Sequence, residues 1–149
     1  MAELGHDVVG LDVDPGKVEL LARGESPFHE PGFPELLKRN VESGRLRFTT
    51  DPTEIADAEI HFIGVGTPQM QGRYAADLTY VYAAVETILA NADTTDHTAV
   101  IAGKSTVPVG TAAEIAEMAE QSGKDILVAW NPEFLREGFA VKDKIGRAS

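Results

Sequence analysis

Short apolar runs alternate along this chain with stretches of helical period, and the spacing predicts an ordered series of elements. Strands are expected at residues 7–11, 47–49, 60–65, 99–102 and 126–130, most of them in short runs rich in Val, Ile, Leu, Ala or Phe. Helices are expected near 17–23, 33–43, 52–56, 78–89, 111–121 and 134–143, where apolar positions recur at three and four residues. Apolar strands separated by helices are the pattern of an α/β fold, a doubly wound parallel sheet covered on both faces. The punctuation agrees: Asp14 and Pro15 suit a cap and a first helical residue, while Gly44 and Gly123 fall just past helix ends. Residues 142–149, KDKIGRAS, carry no period and are expected to fray.

Composition narrows the class. At 149 residues with 43% hydrophobic content the chain is long enough for one domain with a real core, and too short for two full ones. The absence of cysteine excludes disulfides, thiolate metal sites and a cysteine nucleophile within these residues. A formal charge of −11 repels nucleic acid and anionic membranes, so neither is an expected partner. No apolar run is long enough to span a bilayer and no basic segment precedes a hydrophobic one near Met1, so a cytoplasmic location is expected. The acidic balance suits an ordinary cytosolic enzyme or a protein adapted to high salt.

Candidate chemistry sits where strands end, which is where ligands gather in such sheets. Asp12 ends the run VVGL; it either accepts hydrogen bonds from a nucleotide ribose or caps the next helix, a task for which Asp14 is better placed. Lys17 is either a partner for a ribose or phosphate or a solvated helix residue. Gly66, Thr67 and Pro68 follow the third strand, where small residues let a ligand approach the backbone; the alternative is a simple turn. Lys104, Ser105 and Thr106 follow the fourth strand and offer hydroxyls for a water or substrate oxygen, or for a helix cap. Glu133 and Glu137, four apart, share a face of any helix there, with Arg136 between them as a balancing charge. The four histidines lack metal-ligand spacing, and no metal is expected.

Six segments, DVDPGK, SPFHEPG, GRLRFTTD, GTP, KSTVPVGT and NPEFLREG, stand in an order that resembles the UDP-glucose and GDP-mannose dehydrogenase family. That resemblance implies a Rossmann-like fold, NAD as cofactor and a nucleotide sugar as substrate, with UDP-glucose oxidised to UDP-glucuronate in two steps that use two NAD. It implies that Asp12 and Lys17 contact the adenosine ribose side, and that Thr67 lies near the cofactor's phosphates and ribose. Thr106 is implied to hold cofactor or catalytic water. Glu133 is implied as acid/base partner and Glu137 as a contact of the nicotinamide end, while Glu133, Phe134, Leu135, Arg136 and Glu137 line the sugar-nucleotide site. GDP-mannose or an N-acetylated UDP-hexosamine are the competing substrates, and full-length members are expected to be homodimers.

Set against the family pattern, residues 1–143 read as an NAD-binding domain that lacks its first strand and glycine-rich loop, with 144–149 as a tail. The family's catalytic cysteine and second nucleotide-binding domain have no counterpart in these residues. A missing central strand leaves two inner sheet edges unpaired. It predicts that this chain alone is partly unfolded or aggregation-prone and holds NAD weakly. A different class of reading is a non-catalytic remnant that pairs with a full-length homologue through those edges.

Overall fold

A computed structural model describes residues 1–28, 30–69 and 76–132. Five strands form: β1 (Val8–Leu11), β2 (Leu46–Thr49), β3 (Ile60–Ile63), β4 (Ala99–Gly103) and β5 (Ile126–Trp130). Four α-helices lie between them: α1 (Pro15–Ala22), α2 (Phe33–Glu42), α3 (Thr79–Asn91) and α4 (Thr111–Gln121). The predicted strand over 60–65 stops at Ile63, because Gly64 and Gly66 and the following proline break the ladder. The segment expected as a helix at 52–56 is a 3-10 turn, Pro52–Ile55, too short to sustain α-helical bonding. A second 3-10 turn spans Ala2–Leu4. The helix expected at 134–143 and the tail at 144–149 lie outside the described residues.

All pairing between strands is parallel, and it falls into two sheets. In one, β1 pairs with β2 from Val8↔Leu46 to Leu11↔Thr49. In the other, β4 lies between β3 and β5, with Ile60↔Val100 and Ala99↔Ile126 setting the two registers. Among the described residues the free edges of β1 and β3 carry no strand, which matches the pairing expected of a sheet without its central member. The chain divides accordingly into two compact units, one from Met1 to Glu54 and one starting at Ile55.

The first unit is built on capping and surface bonds. Asp14 caps α1 by accepting from the Gly16 and Lys17 amides at 2.9 and 3.3 Å, and Pro15 takes the first helical position. Glu3, in the Ala2–Leu4 turn, accepts from Arg39 at 2.7 Å and from Asn40 at 2.9 Å, fastening that turn to α2. Leu21 and Leu37 are its buried leucines.

The second unit holds a closed core. Strand alternation puts Ile63, Ala99 and Ile101 on one face, where they meet Val81, Val85 and Ile88 of α3 and Ile115 and Ala119 of α4. The opposite face carries Ile60, Phe62 and Leu127, all exposed, so helices on both faces are not seen among the described residues. None of the described helices is long and apolar enough to cross a membrane.

Candidate functional site

In the first unit the candidate residues follow directly from β1. The Asp12 amide donates to the Thr49 carbonyl at 3.2 Å, extending the ladder one residue beyond Leu11 and fixing where the carboxylate stands. Asp12 Oδ1 accepts from the Asp14 amide at 3.1 Å, and its other oxygen pairs with Lys17 Nζ. The two carboxylates therefore divide the work: Asp14 caps α1, and Asp12 faces outward. Burial disfavours the charged form of Asp12, but the hydrogen bonds from Lys17 and Asp14 outweigh it and hold the carboxyl below its ordinary range. Each carboxylate oxygen has a second lone pair, so Asp12 retains capacity to accept from ligand hydroxyls.

Three strand ends supply the residues of the second unit. Thr67 Oγ1 donates to the Thr106 carbonyl at 3.0 Å, joining the loop after β3 to the loop after β4. Among the described residues nothing lies within 4 Å of where a Cβ would stand on Gly64 or Gly66, so those residues leave the backbone here open to close approach. Pro68 accepts from the Asp77 amide at 2.7 Å, and Asp77 in turn takes the amide and hydroxyl of Thr79 at 3.0 and 2.6 Å. These bonds tie Asp77 to Pro68 and lead into α3.

Two sequence alternatives are corrected by this geometry. Thr106 does not cap α4; Gly110 occupies the cap position, four residues later, with φ +101°. Ser105 does not offer its hydroxyl to a ligand, because it is 8% exposed and its Oγ donates to the Val65 carbonyl at 2.7 Å. Thr106 is the exposed hydroxyl of the pair. Glu133, Phe134, Leu135, Arg136 and Glu137 lie outside the described residues. Among the described residues no three His, Asp or Glu side chains gather as a metal site.

Asp77 and Trp130 belong to the site and were not singled out by sequence reasoning. Trp130 Nε1 donates to the Ser105 carbonyl at 2.9 Å. A signal existed for Trp130, since the register of two parallel strands puts it opposite Gly103, the kind of pair in which an aromatic ring covers a missing side chain. Asp77 lies two residues before a threonine, the spacing at which an aspartate side chain can bond to the backbone two residues on.

Compared with known proteins, residues 1–148 match the family model described as UDP-glucose/GDP-mannose dehydrogenase family, NAD binding domain. The chain belongs to this family. Its sequence is 47% identical to a UDP-glucose 6-dehydrogenase of Rhizobium meliloti over 95% of this chain and 32% of that protein. Its fold superposes with a TM-score of 0.89 on a GDP-mannose dehydrogenase from Pseudomonas aeruginosa, at 36% identity, covering 96% of this chain and 34% of that one. A UDP-D-ManNAc dehydrogenase from Pyrococcus horikoshii gives a TM-score of 0.87 at 28% identity, covering 95% and 34%. The chain thus spans about a third of the length of the relatives it matches.

The fold is that of the family's Rossmann NAD-binding domains, and NAD is the cofactor the family domain takes. The residues present fit it on two observations. A carboxylate with spare acceptor capacity ends β1, as a ribose requires, and the backbone after β3 is open beside Gly64 and Gly66. The chain is therefore a member of the NAD-binding domain of the UDP-glucose/GDP-mannose dehydrogenase family.

Proposed function

We propose that residues 1–143 form the greater part of an NAD-binding domain, with 144–149 as a frayed tail, in an enzyme that oxidises UDP-glucose to UDP-glucuronate in two steps. The observation that carries the reading is the hydrogen-bonded pair Thr67 and Thr106 at two strand ends, with an exposed Thr106 hydroxyl and, among the described residues, nothing against Gly64 and Gly66. When bound, NAD supplies the hydride acceptor. Asp12 accepts from the adenosine ribose, Lys17 stands beside it, and Thr67 binds near the phosphates and ribose. Thr106 holds cofactor or a catalytic water. Glu133 moves the proton of the sugar alcohol, Glu137 touches the nicotinamide end, and Phe134, Leu135 and Arg136 line the nucleotide sugar. The complete enzyme is a cytoplasmic homodimer.

UDP-glucose is favoured by the 47% identity to a UDP-glucose 6-dehydrogenase, against 39% to a GDP-mannose 6-dehydrogenase of Pseudomonas savastanoi. The deciding experiment is NAD reduction, followed at 340 nm, by the complete gene product with each nucleotide sugar in turn. The highest kcat/KM is expected with UDP-glucose; a higher value with GDP-mannose or an N-acetylated UDP-hexosamine reassigns the substrate. The open edges of β1 and β3 favour a second reading, a non-catalytic chain that pairs with a full-length homologue. Co-purification with an intact homologue, without turnover by the chain's own gene product, is the outcome that reading requires.

A further inference from the structure

We propose that Trp130 and Ser105 form a clip that locks the three strand ends of the second unit together and so positions Thr67 and Thr106; this rests on the cofactor reading above. The bonds run from strand to strand. Trp130, last residue of β5, donates from Nε1 to the Ser105 carbonyl just past β4, at 2.9 Å. Ser105 donates from Oγ to the Val65 carbonyl just past β3, at 2.7 Å. One residue therefore accepts from one neighbouring strand end and donates to the other. Backbone bonds run alongside, from the Lys104 amide to Ile63 and from the Asn131 amide to Gly103, both at 2.9 Å.

The indole is held by shape as well. A Cβ on Gly103 would fall 2.2–2.3 Å from three atoms of the Trp130 ring, so the ring lies directly over the Gly103 Cα, and only glycine leaves it that room. With the ring seated there, Nε1 points at the Ser105 carbonyl. Thr106 is the next residue after Ser105, and its carbonyl receives the Thr67 hydroxyl. Val65, which Ser105 holds, is two residues before Thr67. Both threonines are therefore reached from Ser105 within two residues of chain. Ser105 is buried and Trp130 half-buried, so neither needs to touch a ligand to act: each is a positioning residue.

Two variants test it, Trp130→Phe, which keeps a ring and removes the donor, and Ser105→Ala, which removes the hydroxyl. Tyr82→Phe is the control, because it removes the Tyr82–Glu114 hydrogen bond between α3 and α4 without touching the strand ends. In the isotope-labelled complete gene product without cofactor, exchange of the Lys104 and Asn131 amides should accelerate about tenfold or more in both clip variants and stay at the wild-type rate in Tyr82→Phe. NADH titration of the complete gene product should show a Kd raised about tenfold in the clip variants and unchanged in the control. Exchange rates unchanged by Trp130→Phe and Ser105→Ala overturn the clip. Faster exchange with wild-type NADH affinity keeps the clip as a structural feature and overturns its positioning role. A complete parent protein that shows no NADH response overturns the cofactor reading, and the exchange rates still decide whether the clip exists.

Discussion

The two units solve the same local problem with different thoroughness. Each has a glycine in one strand facing an aromatic residue in its parallel neighbour: Gly10 opposite Phe48, and Gly103 opposite Trp130. In the second unit the ring is seated on the glycine, hydrogen-bonded to Ser105 and backed by a core in which Ile63, Val81, Val85, Ile101 and Ile115 are at most 1% exposed. In the first, every residue of β1 is only half-buried. Among the described residues β1 presents its far edge without a strand, and Phe48, with no polar side-chain atom, lacks the tether that Trp130 Nε1 makes. A strand that is central in a doubly wound sheet draws much of its burial from both neighbours. Among the described residues β1 has one neighbouring strand and β4 has two, and the burial follows.

The contrast is broken most directly by cavities. Ile101→Ala, in a closed core, should destabilise the second unit by about 2–5 kcal/mol. Val9→Ala, on a half-exposed strand, should cost about 1 kcal/mol or less, since little apolar area leaves water there to begin with. Urea unfolding followed by the fluorescence of Trp130, the one tryptophan, reads the second unit, and amide exchange at Val8–Leu11 reads the first. Equal losses from the two substitutions would remove the distinction between a closed core and an open one.

The glycine pairs sharpen it. A methyl at Gly103 meets the indole at 2.2 Å, and the ring is tethered at Nε1, so Gly103→Ala should cost about 1–3 kcal/mol by overpacking. At Gly10 the added methyl meets the Phe48 ring edge at 2.5 Å, where an untethered ring can turn aside. Gly10→Ala should therefore cost less, and thermal melts of the two single variants check the order. A larger loss at Gly10 would mean that Phe48 is held as firmly as Trp130 and that the first unit is better packed than its burial indicates.

How much of this was legible beforehand differs between the same two units. Strand existence came from apolar runs, and all five predicted strands form, because a parallel strand flanked by others needs apolar side chains whatever its partners are. Asp14 as cap was readable from Asp-Pro spacing, which is a local effect. Pairing was harder: the split into β1–β2 and β3–β4–β5 followed from knowing which strand the family places at the centre, not from any residue in β1 or β3. The clip was illegible because it depends on a through-space bond from Trp130 to a backbone carbonyl 25 residues earlier in the chain. Ser105 was misread for the same reason; a serine beside a ligand loop looks like a ligand contact until its hydroxyl is seen buried against Val65. Glu133 and Glu137, read from spacing and resemblance, lie outside the described residues.

Acid should separate the units by pH range. Burial, and then the neighbouring His97, push the His61 imidazole below its ordinary value, and both Nε2 atoms are buried with no hydrogen-bond partner among the described residues. In the folded chain His61 stays neutral while in the unfolded chain it takes up a proton below its ordinary pKa. The unfolded state then binds more protons, so stability falls as pH drops, from about pH 6.5 downward until the folded pKa is passed. The slope is at most about 1.4 kcal/mol per pH unit for one proton. His97 comes from the loop before β4, with Asp93 close to it; α3, which packs on β3, brings Glu86 on its exposed side. In the first unit Asp12, Glu3, Asp51 and Glu54 have lowered pKa values through hydrogen bonds, so their contribution is present above the ordinary carboxylate range and is lost only as pH falls through the lowered values. Amide exchange should therefore rise first in the second unit between pH 6.5 and 5, and His61→Phe should flatten that dependence. A flat profile in the parent chain over that range would mean that His61 is protonated in the fold as readily as outside it.

The smallest effects concern the two carboxylates after β1, and they separate stability from binding. Asp14→Ala removes the acceptor for two amides at the start of α1 and should cost about 1 kcal/mol. Asp12→Asn loses a partly exposed pair with Lys17, worth about 0–1 kcal/mol, and its amide oxygen can still accept from the Asp14 amide. The melt should thus move more for Asp14→Ala. NAD affinity in the complete gene product should move the other way, because an amide group offers ribose hydroxyls one good acceptor where the carboxylate offers two. If Asp12→Asn binds NAD as tightly as the parent while Asp14→Ala does not, the ribose contact belongs to the start of α1 and Asp12 serves only to hold Lys17.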